Sequence, residues 1–366
     1  MARPERHRRR ASQVMRALGW FWGAVLIALA GGGGVLQWLG PPHAPPPMHA
    51  AATSPRQTAA KPREDTAPTA GLAPTATAAA EGNAAPGMIH APDPALLEPS
   101  ATFPGGMLPR LGPDGRAPMR VYAAPAAPAD ARPRIAVLLS GIGMSETDSL
   151  EAIRTAPPAV SLAISPYAFH PERLLAEARL AGHETLVSLP LEPDRYPIDD
   201  SGNHSLLTGN APARNAQQLE WALTRFAGYV GATGALNGMR GERFAGAPEQ
   251  MAPVLHDMAA RGLLYIDPRP GAAPPPFAFG RGVDVVVDEP AVRTEIEASL
   301  ARLEQAARDH GSALGLVGMP RPVTLDRITA WASTLAARGF VLVPVSALVT
   351  PPAPPVPRQT AEKQAG

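Results

Sequence analysis

Glu192 lies in the run Leu189-Pro190-Leu191-Glu192-Pro193, where prolines on both sides restrict the backbone and aim the carboxylate at low entropic cost. A carboxylate held this way serves as a general acid or base, or as one half of a salt bridge to a loop arginine. Asp267 has Arg269 two residues later, so an ion pair, a substrate contact and a catalytic carboxylate all remain open at that position. Arg243, in Gly241-Glu242-Arg243-Phe244, offers a planar guanidinium for a carboxylate or a sugar hydroxyl, with a plain surface role as the alternative. Ser140 and Asn237 add a hydroxyl and an amide to the candidate substrate-binding set of Ser140, Asn237, Arg243 and Arg269. If Glu192 and Asp267 stand roughly 5 to 10 Å apart, they have the spacing of an acid and base pair for a glycosidic bond.

Other chemistries are excluded or weak. The chain has no cysteine, which removes thiolate zinc sites, disulfides and thiol nucleophiles. Histidines 170, 183, 204, 256 and 310 include no pair spaced three or four apart on one helix, and only His170 and His204 fall in loops able to reach a site. No serine has a nucleophile-elbow pattern, so an esterase triad is not expected. Neither a metal nor another cofactor is expected.

The elements that position these groups alternate strand and helix from residue 134 onward. Short apolar runs at 134–139, 160–164, 185–189, 234–236, 263–266, 283–287, 314–317 and 341–345 read as strands. Between them lie amphipathic stretches at 145–155, 171–181, 216–226, 248–261, 291–310 and 325–338, with glycines 182, 262 and 339 at their C-terminal caps. Strands separated by crossover helices are parallel, and no glycine-rich phosphate loop opens the first helix, so an irregular (β/α) barrel of about seven strands is the expected architecture. In such a barrel the functional groups follow the strand C-termini, here Ser140, Ser165, Ser188 with Glu192, Asn237 with Arg240 and Arg243, Asp267 with Arg269, Asp288 with Glu289, Met319 and Ser346.

The order of these segments resembles the divergent polysaccharide deacetylase family. The resemblance rests on Val160-Ser161-Leu162-Ala163-Ile164-Ser165-Pro166-Tyr167, Ala181-Gly182-His183-Glu184, the Glu192 run, Asn237-Gly238-Met239-Arg240-Gly241-Glu242-Arg243-Phe244, Tyr265-Ile266-Asp267-Pro268-Arg269 and Val317-Gly318-Met319-Pro320. It covers about residues 134 to 349 and implies a deacetylase-type barrel, a carbohydrate-related role and export. Where the family usually has an aspartate pair after the first strand, asparagine-histidine before methionine-glycine, and glycine-histidine-proline near the end, this chain has Ser140-Gly141, Asn237-Gly238 and Gly318-Met319-Pro320. A divalent ion that activates water needs imidazole and carboxylate ligands, so these departures imply loss of metal-dependent hydrolysis.

The remainder of the chain concerns placement. Residues 1–16 hold six arginines against Glu5 within a total charge of +1, so about −4 is left for the rest, which disfavours a nucleic-acid partner. Residues 17–39 carry no charge, and about 23 residues at 1.5 Å rise exceed the ~30 Å hydrocarbon core, so this stretch reads as an uncleaved signal anchor. The arginines stay cytoplasmic and the rest is exported to the periplasm, anchored to the inner membrane by a single pass. Residues 40–133, rich in Ala and Pro, read as a disordered tether with a reach on the order of 50 to 60 Å, and 350–366 as a disordered tail. The expected protein is a membrane-anchored, degenerate deacetylase-like domain that binds a glycan such as peptidoglycan or an envelope protein. The alternatives are an active hydrolase or deacetylase rearranged around Glu192 and Asp267, and a purely structural envelope protein.

Overall fold

The computed structural model describes residues 89–126 and 131–352. The expected basic segment, the span 17–39, most of the tether and nearly all of the tail lie outside these residues. Among the described residues no helix is long and apolar enough to cross a membrane.

Two short strands, β1 (Leu97–Pro99) and β2 (Met107–Pro109), form an antiparallel hairpin, followed by a single turn of helix, α1 (Pro118–Val121). The barrel follows. Its elements are β3 (Arg134–Ile142), α2 (Glu146–Thr155), β4 (Ser161–Ile164), α3 (Pro171–Ala181), β5 (Thr185–Ser188), α4 (Pro212–Leu223), β6 (Gly231–Thr233), α5 (Glu242–Ala245) and α6 (Pro248–Ala260). The chain continues through β7 (Leu264–Pro270), β8 (Gly280–Val283), β9 (Val285–Val286), α7 (Arg293–His310), β10 (Ser312–Val317), α8 (Pro322–Leu335) and β11 (Val341–Leu342). The strand after α4 is three residues earlier than the apolar run at 234–236 indicated. Gly231 lies against Leu264 too closely for any side chain, and glycine permits that strand contact.

All pairings in the main sheet are parallel, in the order β8-β7-β6-β5-β4-β3-β10-β9. Because β8 and β9 are separated only by Asp284, one kinked strand pairs with β7 at its start and with β10 at its end, and the sheet nearly closes with seven staves. Asp284 serves both edges of that junction: its amide donates to the Leu314 carbonyl, and its carboxylate accepts from the Leu314 amide and from Arg281. The short β11 lies beside the first residues of β3, ahead of the point where β3 meets β4.

Alternation along the strands sorts the side chains into two layers, as the pleat requires. Ile135, Val137, Leu139, Leu162 and Val187 pack with helix residues such as Ile153, Leu174 and Leu300. Ala136, Leu138, Ala163, Leu186, Leu264, Ile266, Leu314 and Leu316 fill the barrel. Helix boundaries follow from local chemistry. Ser145 accepts the Asp148 amide at the start of α2, Pro171 opens α3, and Gly182, with φ 83°, ends it in a left-handed cap.

The tether expected over 40–133 is corrected over 89–126, which packs onto the barrel. Leu96, Met119, Tyr122 and Ala124 join the inner core despite the Pro-rich and Gly-rich composition around them. Ser100 and Thr102 donate to Glu220 on α4, and Arg261 at the end of α6 reaches both Glu98 and the Pro109 carbonyl. The strap meets the strand N-termini at Glu184, whose buried carboxylate accepts from Ser161 (2.9 Å), from the amide and hydroxyl of Ser346 (2.9 and 2.5 Å) and from the Ala124 amide (3.3 Å). Ser346, expected at the mouth, is therefore at the opposite end, because it lies in the turn Val345–Ala347 beyond β11 and caps Glu184 there. Thr350, at the start of the expected tail, pairs with Gly280.

Leu96 and Tyr122 are fully buried in this strap, so Leu96→Ala or Tyr122→Ala in the full chain is expected to lower unfolding free energy by about 3 kcal/mol in urea titrations. A loss below about 0.5 kcal/mol for both variants would mean that the strap is not part of the folded unit.

Candidate site at the barrel mouth

The loops that follow β3, β6, β9 and β10 meet over the C-terminal ends of the strands. Ser140 donates to the Gly318 carbonyl at 2.8 Å. A Cβ on Gly141 would stand 3.1 Å from Pro320 and 3.4 Å from the Met319 Cα, and one on Gly318 would stand 3.4 Å from the Gly238 Cα and 3.5 Å from Asp288 Oδ1. The three places where the chain departs from the resembled pattern thus converge on one spot. Asn237 and Gly238 form the two-residue turn of a hairpin closed by reciprocal Leu236 and Met239 hydrogen bonds. Asn237 has φ 50°, a left-handed conformation that asparagine tolerates and an Asn-Gly turn demands. Its Oδ1, and Ser188 Oγ on β5, are buried with no hydrogen-bond partner.

Asp288 completes this floor. It is 3% exposed, and its two oxygens accept the Gly318 and Met319 amides at 2.8 and 3.3 Å. Burial pushes its carboxyl above the usual carboxylate range, against the pull of those amides. By sequence Asp288 is expected at a strand end with no assigned role. The signal was the apolar run 283–287 that delivers it into the mouth.

Glu192 is held from two sides. Its Oε2 accepts from the Thr208 amide and hydroxyl at 2.5 and 2.6 Å, and its Oε1 accepts from Arg243 at 3.0 Å. Burial alone would raise this carboxyl, yet the Thr208 bonds and then Arg243 together bring it below its ordinary value. Arg243 also donates to the Asp194 carbonyl and remains half-exposed. Asp267 takes two side-chain bonds from Arg269, 3.0 and 2.7 Å, as well as the Arg269 amide. Arg240 pairs with Glu242 and Glu289 across the rim. Glu192 and Asp267 are therefore each engaged by a different arginine, and no hydrogen bond joins them.

The histidines lead elsewhere. His204 stacks on Trp221 with ring centroids 3.7 Å apart, His170 packs against Phe169, and the buried His183 has its two ring nitrogens at the Val160 and Ile153 carbonyls. Among the described residues no group of three His, Asp or Glu side chains is arranged to hold a metal ion. A cavity of about 410 Å³ lies outside the barrel between α4 and α6, where Glu220 and Asp257 are already bonded to Thr102 and Arg261.

Because the folded-state pKa of Glu192 is depressed, its stabilising contribution is present above the unfolded value and is lost as pH falls through the folded one. Thermal unfolding from about pH 5 downward is expected to show a wild-type loss to which Glu192 contributes, and Glu192→Gln should flatten that part of the profile at a cost of about 1–3 kcal/mol near neutrality. Identical pH profiles for the two proteins would contradict this placement of Glu192.

The sequence profile of the divergent polysaccharide deacetylase family matches residues 137–349. Among solved structures, uncharacterized protein ATU2773 from Agrobacterium tumefaciens C58 is 33% identical, with a TM-score of 0.62 over 67% of this chain and 100% of its own. The catalytic domain of peptidoglycan N-acetylglucosamine deacetylase from Eubacterium rectale ATCC 33656 is 12% identical, with a TM-score of 0.40 over 62% of this chain and 97% of its own. The family 4 carbohydrate esterase from Streptomyces lividans, in complex with acetate, is 16% identical, with a TM-score of 0.36 over 62% of this chain and 100% of its own. Among curated proteins no match is found.

Proposed function

Because the chain belongs to the divergent polysaccharide deacetylase family, we propose that it is an exported, membrane-anchored protein that binds an envelope glycan such as peptidoglycan at the barrel mouth without metal-dependent hydrolysis. The observation that carries this reading is the donor set at the point where the loops converge. Ser140, Gly141, Gly238, Gly318 and Met319 supply no imidazole or carboxylate, and the carboxylate that touches them, Asp288, is bound to two backbone amides. The residues present do not fit a divalent ion. Zinc or a similar metal takes several nitrogen and oxygen ligands, and a thioether favours copper(I).

What remains at the mouth suits hydroxyl-rich ligands. Arg243 and Arg269 keep part of their guanidinium surface in solvent after pairing with Glu192 and Asp267, and such planar donors read sugar oxygens well. Glu192 accepts three hydrogen bonds, two from Thr208 and one from Arg243, out of about four lone-pair sites, which disfavours a rearranged hydrolase that uses it as acid or base. Anchoring in the inner membrane and a periplasmic barrel rest on the arginine cluster and the uncharged run 17–39.

Purified full-length protein in detergent is expected to sediment with insoluble peptidoglycan and to release no acetate from acetylated glycan strands. Arg243→Ala, which leaves Glu192 bonded to Thr208, should weaken retention about tenfold, in line with loss of a hydrogen bond from a charged group. Acetate release above the no-protein control would overturn the proposal, and so would absence of retention.

A further inference from the structure

The two most exposed large apolar side chains among the described residues, Phe169 at 88% and Ile198 at 81%, lie on the loops that follow the adjacent strands β4 and β5. Met144, 49% exposed, stands on the loop after β3, the next stave round. Loops leaving the C-terminal ends of three consecutive strands share one sector of the mouth rim, and they touch. A Cβ on Gly143 would lie 2.7 Å from the Ala168 Cβ, so the first two loops meet at a glycine. The Tyr167 hydroxyl accepts the His204 amide at 3.1 Å, which ties the second loop to the third.

This sector is braced from beneath. Tyr167 packs on Trp221 of α4 with ring centroids 5.1 Å apart, His204 stacks on the same indole, and Arg225 holds the Pro166 carbonyl at 2.9 Å. These half-buried rings pack the loops against α4 while Phe169 and Ile198 contribute almost no burial to folding. Apolar side chains kept in water on a rigid rim mark a contact surface.

We propose that Phe169, with Ile198 and Met144 on the loops that touch its own, forms an apolar subsite on the rim that takes the C–H face of a pyranose ring, so that the ligand is an oligosaccharide reaching beyond the mouth. The inference rests on the glycan reading of the mouth given above and extends it to a second sugar position. A sugar ring has both surfaces the sector requires. Its apolar face meets the negative face of an aromatic ring, and its hydroxyl edge meets the guanidinium groups of the mouth. Charge argues against an anionic phospholipid surface as the occupant. Among the charged groups within three residues of the three apolar side chains, Arg195 is paired with Asp199 and Glu146 is paired with Arg173, which leaves Glu172 and Asp200 as carboxylates that would be pressed against anionic headgroups.

The test is calorimetric titration of the full-length protein in detergent with a chitin-type disaccharide and with longer oligomers of the same sugar, for the wild type, Phe169→Ala, Phe169→Tyr and Ile198→Ala. The expected result is wild-type affinity that rises with chain length, with Phe169→Ala weakening the longer oligomers roughly tenfold and leaving the disaccharide unchanged. Phe169→Tyr should retain wild-type affinity, and thermal midpoints should be the same in all four proteins because these side chains are exposed. Equal affinity of wild type and Phe169→Ala for the longer oligomers would overturn the rim subsite while leaving glycan binding at the mouth intact. Failure of the wild type to bind any oligomer would overturn both. Binding to phosphatidylglycerol vesicles or to a co-purifying protein that Phe169→Ala abolishes, with oligomer affinity unchanged, would reassign the rim and overturn the proposal.

Discussion

A carboxylate withdrawn from water must find donors, and the three buried carboxylates at this mouth find them within the chain. Asp288 takes two backbone amides, Glu192 takes Thr208 and Arg243, and Asp267 takes Arg269. Each arrangement lowers the cost of burying the charge and at the same time engages part of the lone-pair capacity that a metal ion or a transferred proton would use. The Arg243 and Arg269 guanidinium groups keep part of their surface in solvent beside these pairs. The small residues reinforce this outcome, because Gly141, Gly238 and Gly318 bring three loops to within van der Waals contact and leave no side chain on them to reach a ligand.

The same economy shapes the other end of the barrel. Glu184 gathers Ser161, Ser346 and the Ala124 amide, so one carboxylate ties β4, β5, the turn after β11 and the strap together where the strands begin. The near-closure of the sheet depends on a single kinked strand, and Asp284 supplies at that kink the bonds that a regular ladder would have supplied. Both solutions are polar repairs to a barrel of seven staves, whose apolar layers alone leave a junction and an open end.

Much of the barrel was legible in the sequence because its signals are local. The apolar run at 134–139, the serine at 145 with an aspartate three residues on, and the glycines at 182, 262 and 339 report strand, cap and stop without reference to distant residues. The strap was not legible. Leu96, Met119 and Tyr122 are isolated among prolines and glycines with no period of two or 3.6, and partners far along the chain, such as Glu184, Glu220 and Arg261, fix their segment to the barrel. The site divided in the same way. Asp267 with Arg269, and Glu192 with an unspecified loop arginine, are ion pairs that loop chemistry suggests, whereas the choice of Arg243, and Thr208, which takes half of Glu192, depend on loops whose paths no pattern encodes. Asn237 is a candidate ligand contact by residue type, and its positive φ shows that the Asn-Gly turn is the first reason for asparagine there.

The central claim is that the mouth has no ligand set for a divalent cation, and direct titration of the metal-stripped full-length protein with zinc, nickel and cobalt tests it most closely. The account predicts no stoichiometric binding of any of the three and the same heat for wild type and Asp288→Asn. One tightly bound ion per chain, lost in Asp288→Asn, would contradict it.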